Sequence, residues 1–223
     1  MKAKRQPVET AQKQKKPLRK LIMTTKPTPK PKPTFVADIE EIRKRARQHI
    51  LDGAVTGGYK GDRQTVIKVL NEALATEIVC VLRYKRHHYT AKGIHSQAVA
   101  EEFLEHANEE QGHADRIAER IVQLDGDPDL NPEGLASRSH SQYVEGDTLV
   151  EMIREDLIAE RIAIESYSEI IRYLGDNDPT SRRLMEDILA NEEEHAEEMK
   201  TLLESIGEDE KRDEKKTERK AAS

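Results

Sequence analysis

Apolar side chains recur through most of this chain at alternating steps of three and four, the period that lays a stripe along one face of an α-helix. The first long stretch, predicted as a helix over 62–92, runs Val66, Leu70, Ala73, Glu77, Cys80, Tyr84, with Asp62 as its N-cap and Gly93 as its stop. The second, over 96–124, carries Ala100, Phe103, Ala107, Glu110, Ala114, Ile117, Ile121 and Leu124 at the same steps. A third helix is predicted over 147–174. The fourth, over 179–206, carries Met185, Ile188, Glu192, His195, Met199, Leu202 and Ile206. A shorter stripe, Val36, Ile39, Ile42, Ala46 and Ile50, predicts a short helix within 35–51, capped by Asp38 or Thr34 and cut off by Gly53, Gly57, Gly58 and Gly61. Short breaks join the first helix to the second and the third to the fourth, so each pair is antiparallel. The second break, after Gly126-Asp127-Pro128, is long and lets the third helix run parallel to the second. The pattern predicts an all-α, four-helix bundle over 62–206.

Composition agrees and adds exclusions. Charged residues make up 36% of the chain, aromatics 4%, and Trp is absent, the balance of long amphipathic helices and not of a sheet protein. No apolar stretch nears the ~20 residues of a membrane span, and the N-terminal region lacks a signal-peptide core, so no membrane partner and a cytoplasmic location are expected. Cys80 is the single cysteine, which removes both a disulfide framework and a Cys-x-x-Cys iron centre. The net charge of −6 is unevenly spread. Residues 1–34 hold eleven Lys and Arg against Glu9, with six prolines, and are expected to be a disordered basic tail. The remainder is acidic. Residues 35–61 read as short helix plus Gly-rich linker, and residues 207–223, six acids and six bases beyond Gly207, as a frayed charged tail.

The chemistry enters through a tetrapeptide that occurs twice, Glu110-Gln111-Gly112-His113 and Glu192-Glu193-Glu194-His195. Three residues apart on a helix, a Glu and a His leave neighbouring points of one face and reach a common ion. With 29 Glu and 8 His, roughly one such pair arises by chance. Here each pair has an acid in an apolar run at nearly the same distance upstream, Glu77 before the first and Glu160 before the second. Six ionisable groups on apolar stripes are costly to bury unless something compensates them. Two divalent ions do so, with two Glu bridging and each ion taking one further Glu and one His, which leaves positions open for O2, peroxide or water.

With that ligand set the chain resembles the ferritin-like di-iron proteins, and within them bacterioferritin. Leu70, Asn71, Leu74 and Glu77 match that family's opening motif, Tyr84 follows seven residues later, and His113-Ala114-Asp115 matches the end of its second-helix motif. The likeness covers about 65–206. It implies that Glu77 and His113 bind one iron, Glu160 and His195 the other, and that Glu110 and Glu192 bridge, with Mn or Zn as substitutes. Tyr84 then lies beside the metals as hydrogen-bond donor or electron source, or is plain core. Two departures matter. Bacterioferritin binds haem through a Met directly after the first Glu of its Glu-x-x-His; Gln111 stands there, so haem is not expected. The short fifth helix that lines a pore of the twenty-four-subunit cage has no counterpart, so a twelve-subunit shell, as in the mini-ferritins (Dps), is favoured over the larger one.

The activity implied is that of a ferroxidase and iron store, oxidising Fe2+ with O2 or H2O2 inside a homo-oligomer. The alternative is a non-storing di-metal enzyme like rubrerythrin peroxidase or manganese catalase. DNA is a candidate partner for residues 1–34, which would associate the protein with the nucleoid. His87, His88 and His95 are candidates for an iron entry route, whereas Glu101, Glu102, Glu105, Glu109, Glu193, Glu194, Glu197 and Glu198 read as a solvated acidic face.

Overall fold

Each stripe becomes a helix in the computed structural model, which describes residues 36–93 and 96–221, the last fourteen by backbone only. The basic tail and His95 lie outside the described residues. From Asp38 onward the chain forms one unit. Helix α1 (Ile39–Ala46) starts at Asp38, whose carboxylate accepts the Glu41 N–H at 3.0 Å. It is shorter than its stripe because the chain turns at His49, a non-glycine residue at φ 49°, into a 3-10 turn at Ile50–Asp52. None of its residues is buried.

The four long helices are α2 (Arg63–Thr90), α3 (Ser96–Gln123), α5 (Leu149–Leu174) and α6 (Pro179–Ala221), with α4 (Leu135–Arg138) a single turn inside the crossover. Among the described residues there is no strand. Thr148 and Glu151 form a reciprocal capping box that starts α5. Before it, Gly146 sits at φ +63° with the Met152 backbone 2.8 Å from where a Cβ would stand, so only glycine fits. Asp178 starts α6: its carboxylate accepts the Ser181 N–H at 2.9 Å, and Pro179 takes the first helical position, where a missing N–H costs nothing.

The end of α6 departs from expectation. The helix passes Gly207 and continues to Ala221 where a frayed tail was predicted. An interior glycine costs about 1 kcal/mol but stops a helix only when it turns left-handed, and Gly207 keeps a negative φ. The residues after it are mostly Glu, Lys and Arg, all good helix formers.

Helix α2 packs along α3 and α5 along α6, and the two hairpins face each other through α2 with α5 and α3 with α6. The crossover runs the length of α2. Asn71 receives the Asp129 N–H at 2.7 Å, Thr76 receives the His140 N–H at 2.9 Å, and buried Arg83 donates to Ser141 Oγ (3.1 Å) and the Gln142 carbonyl (3.2 Å). Arg83 Nε also donates to Asp156 of α5 at 2.8 Å, and His87 bridges Asp156 to the Glu145 carbonyl, both at 2.8 Å. These contacts deliver α5 to the C-terminal end of α2, so it runs back antiparallel to α2 and parallel to α3. His87 is thus committed to the crossover, and His88 bonds the Ala100 carbonyl at 2.7 Å.

The core is split in two. One apolar cluster, around Leu70, Leu74, Ile117, Ile121, Leu174, Met185 and Ile188, fills one end of the bundle. The other, around Val99, Phe103, Met152, Ile153 and Met199, fills the opposite end. Each fully buried side chain of this size contributes about 1.5–3 kcal/mol. Between the two clusters the helices bring their acids together.

Candidate metal centre

All six candidate ligands lie at mid-bundle and are almost wholly buried: Glu77 1% exposed, Glu110 1%, His113 4%, Glu160 0%, Glu192 1% and His195 1%. They form two groups whose ligand atoms lie within 4.8 Å of one another, Glu77, Glu110, His113 and Glu192 in one, Glu110, Glu160, Glu192 and His195 in the other. Glu110 and Glu192 belong to both. His113 Nδ1 stands 3.3 Å from Glu77, 3.3 Å from Glu110 and 3.1 Å from Glu192. His195 Nδ1 stands 3.5 Å from Glu110 and 3.9 Å from Glu192. Each helix supplies its share because a core stripe that is apolar for three turns turns acidic at its middle.

Five buried atoms of these residues have no hydrogen-bond partner: Glu77 Oε2, Glu110 Oε1, Glu160 Oε2, Glu192 Oε1 and His195 Nδ1. Some lie near a histidine nitrogen without the alignment of a hydrogen bond. An unsatisfied buried polar atom costs ~1–3 kcal/mol, so five at one place need a common cause. The titration behaviour has the same origin. Burial, then the charge of Glu110, raises Glu77 and Glu160 above the usual carboxylate range, and burial with repulsion from Glu110, Glu77 and Glu160 raises Glu192. Burial opposes ionisation of Glu110 too, but the adjoining Glu77 carboxyl and the His113 and His195 imidazoles outweigh it and hold this carboxyl low. Burial would also keep the imidazoles neutral, yet the carboxylates lift His113 to about 10 and His195 to about 9. Without a cation, protons carry the compensating charge. Two divalent ions would cancel four carboxylates with both histidines neutral, and mixed carboxylate and imidazole donors suit Fe2+, Mn2+ or Zn2+.

Two tyrosines orient the outer acids across the bundle. Tyr84 of α2 donates its hydroxyl to Glu160 Oε1 on α5, and Tyr167 of α5 donates to Glu77 Oε1 on α2. The arrangement is pseudo-twofold, because Tyr167 follows Glu160 by seven residues as Tyr84 follows Glu77. Sequence reasoning found Tyr84 and missed Tyr167, although that repeated offset was a usable signal. It also placed Glu109 on a solvated face. The structure sets Glu109 Oε2 2.6 Å from His195 Nε2, so this carboxylate holds the ring with its other nitrogen turned inward, the kind of partner that metal-binding histidines commonly have. His106, unmarked by any motif, is buried with its ring stacked on His195 at 4.1 Å. Gln111 is exposed and donates to Asp115, while Met152, Met185 and Met199 are core. Cys80 is a buried packing residue beside Arg83.

Comparison with known proteins follows the same lines. The Ferritin family, described as a ferritin-like domain, matches residues 67–208. Bacterioferritin of Desulfovibrio desulfuricans is 31% identical over 152 residues, 67% of this chain and 79% of the relative. Bacterioferritin of Brucella melitensis is 33% identical over 150 residues, 65% of this chain and 88% of the relative. Among solved structures, a dodecameric thioferritin, the bacterioferritin-related protein from Bacteroides fragilis, superposes with a TM-score of 0.66 at 32% identity, covering 68% of this chain and 92% of that one. Dps from Thermosynechococcus elongatus shares the fold, with a TM-score of 0.61 at 22% identity over 63% and 90% of the two chains. From its four-helix bundle and long crossover, and from the match across most of that bundle, the chain belongs to the ferritin-like family.

Proposed function

We propose that this protein oxidises Fe2+ at a di-iron centre built within one subunit and stores the product inside a hollow homo-oligomer. The observation that carries the reading is the pair of buried groups sharing Glu110 and Glu192, with unpaired polar atoms in both. Glu77 and His113 hold one ion, Glu160 and His195 the other, and Glu110 and Glu192 bridge. The ions arrive as substrate. Each Fe2+ gives up one electron; O2 takes two electrons and two protons and leaves as H2O2, or H2O2 takes two of each and leaves as water. Glu109 orients His195, Tyr84 and Tyr167 orient Glu160 and Glu77, and the apolar clusters on either side exclude water. Mn2+ and Zn2+ fit the same donors. Haem is not expected, since Gln111 offers no thioether where the resemblance places the axial Met.

Self-assembly is supported by apolar side chains left exposed on the single chain, including Ile39, Ile42, Leu82, Tyr89 and Ile158. A twelve-subunit shell is favoured over twenty-four because the Bacteroides fragilis relative is dodecameric. No helix among the described residues is long and apolar enough to cross a membrane, in keeping with a cytoplasmic shell. The test is anaerobic loading with excess Fe2+ followed by air and gel filtration. Hundreds of irons retained per assembly is the expected result. About two per subunit would contradict storage and favour a non-storing di-metal enzyme.

A further inference from the structure

Among the described residues, one cluster of side chains able to ligate a metal lies outside the centre just described. Glu102 and His106 of α3 and Glu198 of α6 bring ligand atoms within 4.8 Å of one another. His106 Nε2 is 2.8 Å from Glu198 Oε2 and 3.9 Å from Glu102 Oε1. The imidazole is buried at 1% exposure, while the two carboxylates are 35% and 43% exposed, so the cluster has a solvent side and a protein side.

The protein side leads directly to the metal centre. His106 Nδ1 lies 3.2 Å from the Tyr84 hydroxyl, which donates to Glu160, and the His106 ring stacks on His195 at 4.1 Å and 20°. This chain has three links, Glu198 to Nε2, Nδ1 to the Tyr84 oxygen, and the Tyr84 oxygen to Glu160. A neutral imidazole and a phenol supply two protons between them. With Glu160 and Glu198 both ionised, one link therefore lacks a proton. A cation on Nε2 completes the set, since Nδ1–H then donates to Tyr84 and Tyr84 to Glu160, the outward hydrogen bond that ligating histidines regularly make. Donor atoms on one small divalent ion, each bonded at ~2.0–2.2 Å, stand about 3 Å apart, close to the observed spacing of Nε2 and Glu198.

We propose that Glu102, His106 and Glu198 bind a third divalent cation and form the station from which the di-metal centre is loaded. The surrounding charge favours it. Burial, then repulsion from Glu105 and Glu109, raises Glu102, and burial, then repulsion from Glu102, raises Glu198, with the charge of His195 only partly offsetting both. Glu109, Glu194 and Glu105 extend this acidic field beside the cluster and draw cations toward it. The loading role, unlike the site itself, rests on the di-iron reading above.

The test is anomalous scattering at the zinc edge from crystals of the full chain soaked in Zn2+, for wild type and for Glu102→Gln/Glu198→Gln. Wild type is expected to show three peaks per chain and the double variant two, the third peak lying on His106 Nε2. Two central peaks in wild type with none at His106 overturn the third site and leave the di-metal centre standing. A peak at His106 without central peaks overturns the centre instead, and a third peak that survives in the double variant shows that these carboxylates are not its ligands. For the loading role, the double variant is expected to oxidise the first two Fe2+ per chain about tenfold more slowly in stopped flow, since a removed steering field costs on-rates of that order. Equal rates overturn that role.

Discussion

Glu192→Gln isolates what buried charge costs the metal-free protein. Glu192 is 1% exposed, its carboxyl is raised well above the usual range by burial and then by Glu110, Glu77 and Glu160, and its Oε1 has no hydrogen-bond partner. The folded apo-protein therefore holds it protonated more readily than the unfolded chain does. Holding a carboxyl protonated toward neutral pH costs free energy against an unfolded chain in which it titrates at about 4.3. A raised carboxyl stabilises the fold below the unfolded value and loses that contribution as pH rises, so the penalty grows from about pH 4 upward. Glutamine keeps the shape and a hydrogen-bonding amide without the charge. Allowing for relaxation of the site, the apo variant is expected to gain about 1–3 kcal/mol at pH 7, or ~2–12 °C in melting temperature for a domain of this size. The gain should shrink toward zero near pH 4. Metal-induced stabilisation runs the other way: wild type should gain about 2.7 kcal/mol at a hundredfold excess over Kd, and the variant much less. Thermal melts by circular dichroism between pH 4 and 8, with and without Zn2+, read all three effects. An apo variant that melts several degrees below wild type at pH 7, or an offset that does not change with pH, would refute the reasoning.

Three other outcomes are expected. Arg83→Ala leaves buried Asp156 without its guanidinium partner and frees the crossover from Ser141 and Gln142, and should lower stability by about 3–5 kcal/mol in a denaturant titration; a loss below about 1 kcal/mol would show that the crossover is held elsewhere. Metal binding must displace the protons held on His113, raised to about 10, and His195, raised to about 9, so affinity should climb with pH from 6 to 8; calorimetry in buffers of different ionisation enthalpy should show protons released at pH 7, and none released would contradict the assignment. The basic tail is expected to shift supercoiled plasmid in a gel at low salt, with the shift lost at higher salt and in chains beginning at Met23 or Phe35; equal shifts for all three would remove the tail from DNA binding.

Helix positions and the inward placement of the six Glu and His side chains were legible because both depend on one local rule, that a stripe at steps of three and four faces the core. Glu110 and His195 announce themselves by occupying positions where Ala, Ile or Met is expected. What could not be read depends on which helices meet. Glu109 is one residue from Glu110 and points off the stripe, and its role appears only when His195, 86 positions later, swings its Nε2 toward it. His106 and Glu198 are 92 positions apart and have no spacing to betray them. Arg83 sits beside the inward stripe of α2 as a fully buried cation, which no periodicity predicts, because its partner Asp156 lies on α5 beyond the crossover. Gly207 misled in the opposite way, since a glycine's freedom to end a helix is used only when the following chain takes the turn, and here α6 continues.

The central claim is that six buried side chains act as one two-iron oxidation site. Stopped-flow absorbance after mixing anaerobically loaded protein with oxygenated buffer tests it most directly, with Fe2+ varied from one to six per chain in wild type, Glu110→Ala and His195→Ala. The account predicts a fast phase whose amplitude saturates at two Fe2+ per chain in wild type and is absent from both variants, which remain helical. A fast phase that persists in either variant, or that saturates at one Fe2+ per chain, would contradict it.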